Sequence, residues 1–181
     1  MKIKDFKQEG NYATFVLEGD VKVANALRRY LIGGVPVYAI DKVIFYENES
    51  SFFNEYIAHR LGMIPIKVKK DVEDGRVMLD EKGPKKIYSG DLMPNSKDIE
   101  IPIKNIPIIE LLEGQTLRLE GVLKKDRGLH HAKFQSGIAS YRQLDDNTFE
   151  FFVETLYHFE PKELVEKAKA QIREDLKKML P

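Results

Sequence analysis

Two pairs of cations, Arg28-Arg29 and His59-Arg60, stand out among the residues that could do chemistry. Each pair falls in the C-terminal half of a short amphipathic pattern that predicts a helix, where the helix dipole favours positive charge. Arginine also forms bidentate contacts with carboxylates and is enriched in protein interfaces. The two pairs therefore fit either a capping and solubilising role or a surface that binds another protein.

Metal, phosphate and cysteine chemistry have little support in the sequence. His130 and His131 are adjacent, and adjacent side chains on a strand point to opposite faces. The acidic stretch 71–81 lacks the ligand alternation of a calcium-binding loop, and no glycine cluster forms a phosphate-binding motif. The chain has no cysteine, which excludes thiolate zinc sites, iron–sulfur clusters and cysteine nucleophiles. We expect no cofactor, no metal and no catalytic residue.

The composition describes a well-charged globular protein. Hydrophobic residues make up 43% of the 181 positions, and Lys plus Arg equals Asp plus Glu at 29 each. This balance argues against a protein whose main task is gripping nucleic acid, so we expect no specific nucleic-acid contact. The sequence shows no long apolar run and no signal pattern at its start. These features predict a cytoplasmic protein with no membrane contact.

Apolar spacing and capping residues predict three helices that position the candidate cations. Asp20 is a candidate N-cap for a helix over 21–32, which carries the first arginine pair. A second helix is predicted over 54–61, with the serines of the preceding loop as candidate caps. Pro161 is well suited to begin the last helix, which we expect to end near residue 179. Strands are predicted over parts of 1–19, over 38–46 and over 148–156.

The middle of the chain differs from its two ends. It holds short β-rich segments separated by prolines and loops, at 76–79, 99–103, 117–124 and 132–141. The fold class predicted is therefore α+β, with a discontinuous first domain and an inserted second one. The first domain, 1–66 and 148–181, should contain an antiparallel sheet with two or three helices. The insert, 67–147, should be mostly β.

The last helix carries one narrow apolar stripe at spacings of 3, 4, 4 and 3 residues. A stripe this narrow suits pairing with a helix of another chain. It equally suits covering the sheet of its own domain, and the sequence leaves both possibilities open. The stripe consists of Val165, Ala168, Ile172, Leu176 and Met179.

An ordered set of motifs resembles the D subunit of archaeal RNA polymerase, whose family includes the N-terminal domain of the bacterial alpha subunit and the third-largest eukaryotic subunit. The resemblance runs nearly end to end. It is carried by Ala24-Asn25-Ala26-Leu27-Arg28-Arg29, Pro36, Ala39-Ile40-Asp41-Lys42-Val43, Asn48-Glu49-Ser50-Ser51, Glu55-Tyr56-Ile57-Ala58-His59-Arg60-Leu61-Gly62-Met63-Ile64-Pro65, Tyr88-Ser89-Gly90-Asp91-Leu92, Ile106-Pro107-Ile108 and His131-Ala132-Lys133-Phe134-Gln135.

The resemblance implies a non-catalytic assembly platform. In this family the split first domain forms a heterodimer with the small L subunit, and the small N and P subunits and the large catalytic subunits then assemble on that dimer. The helices 21–32 and 161–179 would form the dimer seam, while the two cation pairs would help to seat larger subunits. The interface residues implied are Asn25, Leu27, Arg28, Arg29, Leu31, His59, Arg60, Val165, Ala168, Ile172, Leu176 and Met179.

The chain departs from the family in two features, and two other functions are compatible with its sequence. The chain lacks the cysteine-rich domain of some D subunits, and its turn over 126–134 differs from the usual glycine-rich one. One alternative is a stand-alone enzyme that uses scattered carboxylates in the insert. The other is a nucleic-acid-binding module, against which the charge balance and the lack of a basic aromatic stripe both count.

Overall fold

The computed structural model of the protein describes residues 2–179. These residues form three α-helices: α1 (Val21–Gly33), α2 (Asn54–Gly62) and α3 (Pro161–Met179). They also form twelve strands: β1 (Lys2–Glu9), β2 (Tyr12–Glu18), β3 (Val37–Asn48), β4 (Lys67–Val68), β5 (Arg76–Lys82), β6 (Lys85–Tyr88), β7 (Met93–Pro94), β8 (Ile99–Glu100), β9 (Pro107–Leu111), β10 (Thr116–Asp126), β11 (Gly137–Asp145) and β12 (Thr148–Thr155). The predicted α+β class is confirmed.

The chain divides into two compact units. Unit 1 comprises the chain up to Val37 and from Asp126 onward, and unit 2 comprises Tyr38–Lys125. Each unit has its own cluster of buried apolar side chains. The two ends of the sequence therefore share one core, and the middle of the sequence builds another.

Unit 1 is an antiparallel four-stranded sheet with the order β1-β2-β12-β11, and α1 and α3 supply the rest of its core. Alternate residues of β2 and β12 point inward, as the period of two in a half-buried strand requires. Phe15 and Phe151 are paired in register, and their rings stack at 5.0 Å. Aromatic cross-strand pairs of this kind stabilise the sheet that supports both helices.

α1 begins and ends where the sequence predicts. The Asp20 side chain accepts a hydrogen bond from the backbone N–H of Lys22, so it caps the helix. Gly34 follows the last turn, and its N–H donates to the carbonyl of Tyr30. A Cβ atom on Gly34 would lie 2.7 Å from the Cα of Tyr30, so glycine is needed for the chain to leave the helix here.

Unit 2 combines a four-stranded sheet of order β3-β10-β5-β7 with two small two-stranded sheets, β4-β8 and β6-β9. Ile57 and Leu61 on the inner face of α2 are fully buried in its core. Gly121 on β10 lets two large side chains meet, since a Cβ there would lie 3.0 Å from both Ile40 and Val77. The small sheets and many turns agree with the β-rich, proline-interrupted pattern of the sequence.

The bounds of the two units differ from the domain bounds expected at 66/67 and 147/148. α2 lies in unit 2, because its apolar face is buried among the strands there. β11 lies in unit 1, because it pairs with β12 over its length. Burial and strand pairing over long sequence separations decide these bounds, and neither is visible in local composition.

Two local predictions are wrong. The serines before α2 do not cap it, since Phe53 occupies the N-cap position and makes no side-chain capping hydrogen bond. Ser50 instead bonds to Asn48. The strand predicted over 132–141 begins later, at Gly137, because Ala132–Phe134 forms a 3-10 turn.

Candidate partner interface

The outward face of α1 presents three polar residues of the predicted interface. Asn25 and Arg29 are exposed and Arg28 is half-buried. A terminal nitrogen of Arg28 donates to the Asn25 side-chain oxygen at 2.9 Å, one helical turn back. This contact uses one terminal nitrogen of a guanidinium that carries five N–H donors, so a partner carboxylate or carbonyl could still bind Arg28.

The two leucines predicted on the same interface lie in the core of unit 1 instead. Leu27 and Leu31 have no solvent-exposed surface and belong to the core of unit 1. They lie on the inner side of α1 because an amphipathic helix on a sheet buries its apolar stripe. These two side chains hold α1 in place and leave the outer face for contact with other molecules.

A groove of about 550 Å³ opens beside the C-terminal end of α1. Its walls include Arg29, Arg127 and the exposed side chain of Leu129. The backbone approaches closely at Gly33 and Gly128, where a Cβ on Gly128 would lie 2.8 Å from the Cα of Gly33. The divergent turn over 126–134 thus packs directly against the end of α1.

The apolar stripe of α3 divides into two parts. Val165 and Ala168 are buried in the core of unit 1, and Ile172 is half-buried against the same core. Leu176 is 54% exposed and Met179 is 77% exposed. The two possibilities left open by the sequence therefore apply to different turns: the first part covers the chain's own sheet, and the second part is free to meet another molecule.

A cluster of polar side chains fixes the part of α3 that extends past the core. Asp175 accepts hydrogen bonds from Arg127 at 2.7 and 3.1 Å, from the Tyr30 hydroxyl at 2.9 Å and from Gln171 at 3.0 Å. The Asp175 side chain is only 13% exposed. The cluster joins α3 to α1 and to the turn after β10, so it holds the exposed apolar turns in one orientation.

The electrostatics of this cluster are consistent with a permanent ion pair. Hydrogen bonds from Arg127, supported by those from Tyr30 and Gln171, hold the pKa of Asp175 well below its usual range. The hydrogen bond to Asp175 raises the pKa of Arg127. Burial, followed by the bond to Asp175, raises the pKa of Tyr30. The carboxylate therefore stays charged, and both partners stay protonated, throughout the neutral range.

The second cation pair lies on α2, in unit 2. His59 is exposed on the last turn of the helix. Arg60 donates to the backbone carbonyl of Pro107 and to the Tyr56 hydroxyl, and its guanidinium lies 5.7 Å from the Tyr56 ring centre. Arg60 is thus already engaged within unit 2, whereas His59 is the more available of the two.

The Asp175 cluster is not predicted by the local sequence pattern. Asp175 stands among four other charged residues between 173 and 178, and a carboxylate on a solvent-exposed helix face has the same local pattern. From the sequence, Tyr30 is expected to be an ordinary large residue of an amphipathic helix. The Arg127–Asp175 pair is identified only by the packing of three segments that are distant in sequence. The one general signal is that an arginine can bind a carboxylate through two hydrogen bonds.

Within residues 2–179, no group of three or more His, Asp or Glu side chains is arranged to hold a metal ion. No helix in the same range is long and apolar enough to cross a membrane.

The family comparison gives a direct match for the middle of the chain. Residues 40–144 match the model of the RNA polymerase Rpb3/RpoA insert domain. The match covers more than half of the 181 residues. It begins three residues after the start of β3 and ends within β11, so it includes all of unit 2 except its first two residues.

Three curated relatives extend the match. The chain is 42% identical over 161 residues to the DNA-directed RNA polymerase subunit Rpo3 of Methanocaldococcus jannaschii, covering 88% of this chain and 83% of that one. It is 43% identical over 153 residues to the Rpo3 of Pyrococcus horikoshii, covering 78% of this chain and 59% of that one. It is 42% identical over 125 residues to the Rpo3 of Halobacterium salinarum, covering 67% of this chain and 50% of that one. The resemblance drawn from the sequence motifs is confirmed.

Proposed function

Because the chain belongs to the family of RNA polymerase subunits that includes Rpb3, RpoA and Rpo3, we propose that it is a non-catalytic assembly subunit of a multisubunit DNA-directed RNA polymerase. It spans about six tenths of the Pyrococcus relative and more than four fifths of the Methanocaldococcus one. Its contribution to transcription is to hold other subunits in place, while the chemistry takes place on them.

The observation that carries this proposal is the exposed end of α3. Leu176 and Met179 are apolar, exposed and on one face, and the Asp175 cluster fixes the helix that bears them. A rigid apolar helix face loses little conformational freedom on binding, which favours association. We propose that a small L-type subunit covers this face and forms the heterodimer that the family resemblance implies.

The cations serve later contacts in this scheme. Arg28 and Arg29 on α1 would bind a large catalytic subunit, with Asn25 supporting Arg28. His59 and Arg60 on α2 would contribute to the seating of small N-type and P-type subunits or of a large one. The chain itself would hold no metal or other cofactor, and elemental analysis that finds about one equivalent of zinc or iron per chain would refute that part.

Substitution on α3 tests the heterodimer. Leu176→Asp places a charge in the proposed apolar interface, where an unpaired charge is costly. Isothermal titration with a purified L-type subunit should show affinity reduced by roughly tenfold or more. Ala170→Asp is the matched control, because Ala170 is also exposed on α3 but lies off the stripe. The proposal fails if the Leu176 variant binds like wild type, or if the control loses as much affinity.

The choice of Leu176 follows from the burial pattern. Ile172 is the central residue of the stripe, but it packs against the core of unit 1. Ile172→Asp would therefore destabilise the chain as well as any interface, and loss of binding by that variant would have two explanations. Leu176 separates them, since its side chain contributes little to the chain's own core.

A further inference from the structure

The four-stranded sheet of unit 2 presents one of its faces outward. Residues alternate along β5 and β10, so that Leu79 and Leu119 are buried on the inner side and their neighbours in the strands point outward. The outward side bears three large apolar residues: Tyr46 is 57% exposed, Met93 52% and Met78 43%. Large apolar side chains gathered on one open sheet face indicate a surface that meets another molecule.

These side chains belong to a single surface, because the strands place them side by side. Met78 on β5 and Met93 on β7 are partners in the strand register, and such partners point to the same face of an antiparallel sheet. Both methionines and Tyr46 line one groove of about 490 Å³, together with Asp80 and Arg118. We call these five residues the open face.

The two charged residues of the open face are neighbours that do not pair with each other. Arg118 on β10 and Asp80 on β5 are partners in the strand register, and both are exposed. The guanidinium of Arg118 lies 5.8 Å from the centre of the Tyr46 ring. Neither Asp80 nor Arg118 forms an ion pair with another residue of the range 2–179. The open face therefore carries one unpaired cation and one unpaired anion at the same level of two adjacent strands.

This arrangement of charges is complementary to itself. Two such sheets can pack face to face about a two-fold axis that runs along the strands, between β10 and β5. The strand order then places β10 of one copy over β5 of the other, and β3 over β7. Arg118 of each copy faces Asp80 of the other, because the two residues stand at the same level of their strands. Tyr46 of each copy comes to the methionine side of the other, and an aromatic ring beside a thioether is a favourable contact.

We propose that the open face binds a second copy of this chain, so that the free protein forms a two-fold dimer through unit 2. Two ion pairs between Arg118 and Asp80 fix the register of the copies, and the tyrosine and methionines supply the apolar contact. A partner surface of one charge sign would leave either Arg118 or Asp80 buried without a counter-charge, which is costly. The open face is small, so the dimer is weak and its population rises with protein concentration. The inference concerns the chain by itself and does not depend on the proposed function.

Exchange of charge across the two-fold axis tests the inference on the full chain. Arg118→Asp leaves two carboxylates at the charged pair, and Asp80→Arg leaves two guanidiniums. Sedimentation equilibrium should show that each variant alone self-associates at least tenfold more weakly than wild type, because like charges meet across the axis. An equimolar mixture of the two variants should associate as strongly as wild type, since each anion then faces a cation of the other chain. A folding defect in either variant cannot produce this recovery on mixing.

Further variants separate the open face from other surfaces. Lys86→Glu and Glu110→Lys reverse the charges of another exposed cross-strand pair of unit 2, on β6 and β9, and should leave self-association unchanged. Leu176→Asp, on α3 of unit 1, should leave it unchanged as well. Tyr46→Ala should weaken self-association, because it removes apolar contact from the open face. Raising the salt concentration should weaken the wild-type dimer, since its ion pairs are screened.

Four outcomes would overturn the inference. The first is a wild-type chain that stays monomeric at the highest concentration reached. The second is self-association of Arg118→Asp and Asp80→Arg at wild-type strength. The third is a mixture of these two variants that does not recover association, since their charges would then not meet across an axis. The fourth is loss of self-association in Leu176→Asp, because the copies would then pair through α3. Binding of the L-type subunit is measured separately, so failure of the proposed function remains distinguishable from each of these results.

Discussion

Both terminal nitrogens of Arg127 donate to the carboxylate of Asp175, at 2.7 and 3.1 Å. Forty-eight residues separate the two in sequence. The two-point contact sets the direction of α3 beyond the last residue that packs on the sheet, because a bidentate pair restrains orientation as well as distance. The Tyr30 hydroxyl adds α1 to the same contact. Contacts between α1, the turn after β10 and α3 therefore together set the position of the exposed stripe.

Removing this carboxylate should loosen α3. Asp175→Asn keeps the shape but loses the charge, so Arg127 is left without its ion-pair partner and the free energy of unfolding should fall by about 2 kcal/mol. Affinity for the L-type subunit should fall as well, because the stripe loses its fixed orientation. Urea denaturation measures the first effect and calorimetry the second. Glu174→Gln, one residue earlier on the exposed face, should change neither, and equal effects of the two variants would contradict the role of Asp175.

The Asp175 cluster also predicts that the stability of the fold depends on pH. The hydrogen bonds from Arg127 lower the pKa of Asp175 in the folded protein. The carboxylate therefore stabilises the fold fully above its unfolded-state pKa of about 3.9, and this contribution is lost as the pH falls below that value toward the lower folded-state pKa. Melting temperatures of wild type and Asp175→Asn should differ at pH 6, and the difference should be smaller at pH 3, where loss of this contribution has begun. A difference that is the same at both values would contradict the prediction.

The outer face of α1 should matter for a later contact. Arg28→Ala with Arg29→Ala should leave the heterodimer intact, because neither side chain lies on the exposed stripe of α3. Binding of a large catalytic subunit should weaken by about 1 kcal/mol or more if these arginines are central to its interface. Reconstitution followed by gel filtration measures both steps. Lys22→Ala, on the first turn of α1, is the control, and complete assembly by the double variant at wild-type yield would refute the assigned role.

Local patterns predict the helices well because their signals are local. Asp20 caps α1, and Pro161 begins α3, within one residue of the expected positions. Each depends on a backbone donor or a fixed dihedral at the helix start, which the residue type alone supplies. The alternation in β2 and β12 likewise places Phe15 and Phe151 on one buried face.

The candidate site is less predictable, because it depends on which side of each helix is covered. Leu27 lies on α1 next to Arg28, and Val165 lies on the same apolar stripe of α3 as Leu176. Leu27 and Val165 are nevertheless buried by the chain's own sheet. A sequence pattern shows that a helix has an apolar stripe but not where along its length the supporting sheet ends. Phe53 is exposed, and the sequence does not predict this, because a phenylalanine beside a helix is usually part of a core.

Reconstitution of the polymerase from recombinant subunits, with and without this chain, tests the central claim most directly. With the chain present, the large subunits should enter one complex that synthesises RNA, while the chain alone should show no nucleotidyl transfer. With the chain omitted, the complex should fail to form and synthesis should be lost. Assembly of a fully active enzyme without the chain would contradict its role as an assembly subunit.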